Sequence, residues 1–81
     1  MPTALKEEGF RFYFYSGDKD EPAHVHVAKG DGSGKIWLEP QLKIHSLVGF
    51  KKQEILKIMR IAEKHHQELI KKWHAYFKNN K

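Results

Sequence analysis

The chain has 81 residues, 40% of them hydrophobic and ten of them aromatic, which suffices for one small domain with a compact core. It contains no cysteine, so disulfide staples and Cys-based zinc or iron–sulfur sites are excluded and a reducing compartment is expected. The net charge of +5 is uneven: residues 1–50 carry six Lys/Arg against seven Asp/Glu, and residues 51–81 carry nine against three.

Met1–Glu8 has no apolar signal region, and no apolar run approaches the roughly 20 residues that cross a bilayer. The expectation is a cytoplasmic protein without membrane contact. Thr3–Lys6 reads as a first short strand, and Glu7-Glu8-Gly9 as a turn. Phe10–Tyr15 carries the strongest strand pattern. Phe10, Phe12 and Phe14 alternate with Arg11, Tyr13 and Tyr15, so one face is core and the other polar and aromatic.

Ser16–Pro22 is a loop by composition, and the strand Ala23–Ala28 follows. There His24 and His26 share one face and Val25 and Val27 the other, because strand side chains alternate. Gly30–Gly34 reads as a hairpin turn rather than a phosphate cradle, since no Gly-Lys-Ser/Thr ending opens a helix. Lys35–Leu38 is the return strand, closed by Glu39-Pro40. Leu42–Phe50 is ambiguous, and one further short strand is assigned to it.

From Lys51 the period changes. Ile55, Ile58, Met59, Ala62, His66, Leu69, Ile70, Trp73, Tyr76 and Phe77 fall within an arc of roughly 120°. No Gly or Pro interrupts residues 51–81, so one long amphipathic helix over 51–78 is expected, without a good N-cap at Phe50 or Lys51. Its other side carries Lys57, Arg60, Lys64, Lys71 and Lys78. A solvated helix face is the ordinary meaning of such a stripe, though Lys57, Arg60, Lys64 and Lys71 are candidates for phosphate contact.

These faces assemble as a single α+β domain over 1–81. Residues 1–50 are mainly β, forming an antiparallel sheet of three to five strands packed on the helix. The sheet's second face then presents Arg11, Tyr13, Tyr15, His24, His26, Lys35 and Trp37. It is too aromatic for a solvated face and too polar for a core. It is assigned as the binding face, provided that Leu42–Phe50 does not cover it.

Several motifs together resemble the small bacterial domain-of-unknown-function 4160 family. They are Met1-Pro2-Thr3, Gly9, Arg11–Ser16, Glu21-Pro22 with His24-Val25-His26-Val27, Gly30-Asp31-Gly32, Lys35–Pro40 and Trp73–Phe77. Ala23 stands where that family often has a second proline, and Lys51 where a capping serine is common. The resemblance implies the two-layer fold and membership of a two-gene, toxin–antitoxin-like pair. It transfers no catalytic role to any residue.

Three chemistries compete for the second face. A metal site would use His24 and His26, with Asp18, Asp20, Glu21, Asp31 or His45 completing it; two histidines alone more often pack and hydrogen-bond locally. Catalysis by the pair, as in an RNase with Arg11 or Tyr13, lacks a nucleophile signature, and Ala28 stands where a histidine triad needs its third imidazole. No catalytic residue, resident metal or cofactor is therefore assigned. Binding remains. Aromatics interleaved with cations suit RNA, while Tyr, Trp and Arg suit a protein partner. A protein partner, the product of a neighbouring gene, ranks first and RNA second.

Overall fold

The computed structural model describes residues 3–15 and 20–78. Five strands form one antiparallel sheet in strict chain order: β1 (Thr3–Glu7), β2 (Phe10–Tyr13), β3 (His24–Lys29), β4 (Gly32–Trp37) and β5 (Lys43–Val48). Two helices follow, α1 (Lys52–Lys64) and α2 (His66–Lys78).

Each hairpin has a local cause. Glu8 and Gly9 join β1 to β2 with φ of 52° and 86°, the double positive φ that matches strand twist in a two-residue loop. Gly30, at φ 57°, opens the two-residue turn from β3 to β4. The turn expected over Gly30–Gly34 is therefore shorter, because Gly32 and Gly34 belong to β4. Their missing side chains make room. A Cβ on Gly32 would lie 2.5 Å from the Phe50 ring, and one on Gly34 would strike Leu47 and the Ser46 carbonyl. Ser16–Lys19 of the expected loop lie outside the described residues.

The three phenylalanines lie on the core face, as their alternation requires. Phe10, Phe12 and Phe14 pack with Val25, Val27, Ile36 and Leu38 against Ile58, Ile61, Ala62, Leu69 and Trp73. Ten of these twelve side chains are at most 1% exposed. Burying one aliphatic or aromatic side chain is worth roughly 1.5–3 kcal/mol, so this interface dominates the domain's stability. Leu42, Leu47 and Phe50 pack on the same side. Leu42–Phe50 thus extends the sheet as its edge strand and leaves the second face uncovered by any described strand or helix.

The single long helix expected over 51–78 is instead two helices meeting at His65, whose φ of −107° and ψ of 17° leave the helical region. The break is local, since His65 N–H still bonds the Ile61 carbonyl at 3.0 Å and Leu69 N–H the His65 carbonyl at 2.8 Å. Side chains hold the joint. His65 bridges Glu7 at 3.0 Å and Glu68 at 3.2 Å, and His66 Nε2 donates to the Leu38 carbonyl at 2.7 Å. At the start of α1 the missing cap is supplied from within, as the Glu54 carboxylate accepts the Lys51 backbone N–H at 2.9 Å.

Candidate functional site

Antiparallel register lines the second face into rows. Thr3, Tyr13, His26, Lys35 and Ser46 are successive cross-strand partners from β1 to β5. The next row holds His24, Trp37 and Lys43 on β3, β4 and β5. Tyr15, just beyond β2, reaches into the same cluster.

The rings touch in sequence. Tyr13 stacks on His26 at 5.5 Å and 26°, and Tyr15 meets His26 edge-on at 4.5 Å. His26 meets His24 at 5.1 Å, His24 meets Trp37 at 5.4 Å, and Trp37 meets His45 at 5.6 Å. Two cations lie on the rings: Arg11 is 4.7 Å from the Tyr13 centroid and Lys35 Nζ 4.4 Å from that of Trp37. Arg11 Nε also donates to Thr3 Oγ1 at 2.8 Å. Lys35 Nζ ion-pairs with Glu21 at 2.5 Å.

The seven expected face residues thus come together, with graded exposure. Tyr15 is 38% exposed, Arg11, His26, Lys35 and Trp37 are half-buried, and Tyr13 is buried. Burial, and then the neighbouring Tyr15 hydroxyl, push the Tyr13 phenol above its ordinary 10.0. His24, expected on the working surface, is only 1% exposed. Its Nδ1 donates to the Pro22 carbonyl at 2.9 Å, with Glu21 3.7 Å away, so its ring supports the surface from beneath. A shallow groove of about 300 Å³ runs over Tyr13, Tyr15, His26, Lys35, His45 and Ser46. A second, of about 280 Å³, lies beside Pro22, Trp37, Pro40 and Lys43.

The metal arrangement is not assembled. Among the described residues no three His, Cys, Asp or Glu side chains converge, so His24 and His26 find no third ligand there; Asp18 lies outside them. The helix stripe is divided. Arg60 pairs with Glu8 at 3.0 Å and Lys64 with Glu7 at 3.6 Å, tying the helices to the β1–β2 turn, whereas Lys57 and Lys71 are exposed.

Sequence reasoning weighed His45 and Glu21 only as metal ligands and passed over Lys43. His45 sits in a bulge, where Lys35 faces Ser46 while Ile36 faces Ile44. The extra residue hides its face from any count by twos.

A family model described as a domain of unknown function, DUF4160, matches residues 9–74. The chain belongs to that family. The DUF4160 match runs from the β1–β2 turn into α2 and includes every ring of the second face from Tyr13 to His45. Thr3 and Lys6, at its β1 border, lie outside. No curated protein and no solved structure matches the chain significantly.

Proposed function

We propose that this DUF4160 chain is a small binding module whose working surface is the sheet face opposite the helices. One observation carries the reading. A continuous run of Tyr, His and Trp rings crosses four strands, flanked by Arg11 and Lys35, with no described strand or helix packed over it. Surfaces of this composition bind partners, because large rigid rings give contact area at small entropic cost and cations add orientation.

The alternatives on the same molecule are weaker. Both outer strands carry bulges, between Thr3 and Leu5 in β1 and at His45 in β5. Bulged edges pair poorly with added strands. The helix stripe spends Arg60 and Lys64 on internal ion pairs. The Tyr, Trp and Arg content of the face suits a macromolecular partner, as a component of a two-gene, toxin–antitoxin-like pair would need.

Position-specific photocrosslinking tests the surface before its partner is known. Tyr15→p-benzoylphenylalanine in cells expressing the chain should give a discrete crosslinked species that Lys71→p-benzoylphenylalanine does not. No species from position 15, or the same species from both positions, refutes the assignment.

A further inference from the structure

We infer that the ligand of this face is single-stranded nucleic acid, a conclusion that rests on reading the face as the working surface. Three features select that chemistry.

The first is charge. Lys6, Arg11, Lys35 and Lys43 stand on this face with His26 and His45; among the described carboxylates, Glu21 beside them is held by Lys35, and Glu39, which borders the second groove, is held by His74 at 2.9 Å. A polyanion is attracted to such a surface.

The second is the division of labour among the rings. Tyr13 lies between Arg11 and His26 and is buried, so it builds the platform. Tyr15, 38% exposed, and Trp37, half-buried, border the two grooves. Tyr15 offers its ring to an unstacked base, while Trp37 carries Lys35 on its face and so sets a cation beside a ring; every base has a π-face, so such a platform tolerates sequence.

The third is spacing. Lys35 and Trp37 are two residues apart on β4, roughly 6.6–6.8 Å along the strand. This tier separates the groove at Tyr15 from the groove at Trp37, so a strand's phosphates and bases can pass from Lys35 to the neighbouring row of Trp37 and Lys43. A duplex keeps its bases stacked inside and would meet only the cations.

Glu21 acquires a role in this arrangement. Its carboxylate ties down the Lys35 ammonium and must yield it when phosphate arrives. It is a built-in competitor for the ligand.

The test uses fluorescein-labelled 12-nucleotide RNA and DNA of mixed sequence, single-stranded and as duplexes, read by anisotropy from about 50 to 200 mM salt. Single strands should bind more tightly than duplexes, and the two single-stranded arms decide between RNA and DNA. Three phosphate contacts give a log–log salt slope of about −2, and Lys35→Gln should reduce it by about 0.7. Tyr15→Ala should weaken binding roughly 5- to 150-fold, the worth of one stacked base. Glu21→Gln should strengthen it roughly 2- to 5-fold, the release of an exposed ion pair. Lys57→Gln and Lys71→Gln should leave the affinity unchanged.

Equal losses in all lysine variants, or tighter binding of duplex than single strand, overturn the inference. So does the absence of binding at about 50 mM salt. In that case position-15 crosslinks that protease removes and nuclease spares would keep the face and reassign its partner to protein. Absence of those crosslinks as well would remove the face itself.

Discussion

Gly34 is the residue on which the groove side of the sheet depends most directly. It lies in β4 opposite Val27 and Leu47, where an added Cβ would press on the Ser46 carbonyl and Leu47 and come within 3.0 Å of the Leu47 Cα. Two of these obstacles are backbone, which cannot swing aside as a side-chain tip can. Overpacking of this kind costs about 1–3 kcal/mol. Against it, Gly→Ala restricts the unfolded chain and returns about 0.4–1 kcal/mol. Taken at their midpoints these leave Gly34→Ala about 1.3 kcal/mol less stable, a Tm lower by roughly 5–10 °C for a domain of this size. Gly32→Ala should cost less, because its obstacle is the ring of Phe50. Ser33→Ala, exposed between them, should stay within about 0.5 kcal/mol of the parent. Urea and thermal unfolding followed by circular dichroism give all three. The β4–β5 strain should also displace Ser46 and His45, so Gly34→Ala should weaken binding at the groove. If Gly34→Ala matches the parent in midpoint and slope, β4 and β5 do not approach as described and the groove geometry fails with them.

Two further outcomes follow from titration. The hydrogen bond from His65, helped by the Lys64 charge, holds the Glu7 carboxyl below its ordinary 4.5; Lys72 and then His65 do the same for Glu68. A lowered folded value means stability present above pH 4.5 and lost as pH falls through that lower value, so Glu7→Gln should flatten the acid limb of a Tm–pH profile. An unchanged limb would remove Glu7 from the helix–sheet tie. At the other extreme, ultraviolet titration should show a phenol ionising above 10.0, and Tyr13→Phe should abolish that late component. Its persistence in the variant would place the buried phenol elsewhere.

The sheet was legible where alternation is unbroken. Phe10, Phe12 and Phe14 on one side and Arg11, Tyr13 and Tyr15 on the other are enough to predict both a core and a second face. It was obscure where an extra residue enters. Ile44 and Leu47 are an odd number of residues apart, yet both lie opposite helix-side residues of β4, because His45 bulges between them. The break at His65 was hidden for the converse reason. His65 N–H still bonds the Ile61 carbonyl and Leu69 N–H the His65 carbonyl, so the apolar period of 3.6 passes through it unaltered. The glycines of β4 misled because composition marks a turn, whereas here the missing Cβ admits Phe50 and Leu47. The exposure of the site was least accessible. Nothing in the alternation of His24 and His26 says that one is sealed against Pro22 and the other half-open.

The order of elements along the chain has a consequence for biosynthesis. All five strands leave the ribosome before the helices that cover them, and each strand pairs with its immediate predecessor. A nascent meander can therefore form with Phe10, Phe12 and Val25 still bare, and that interval is when neighbouring chains on one messenger are most apt to stick. The bulged outer strands guard it, since they deny a second half-made sheet a straight edge to extend.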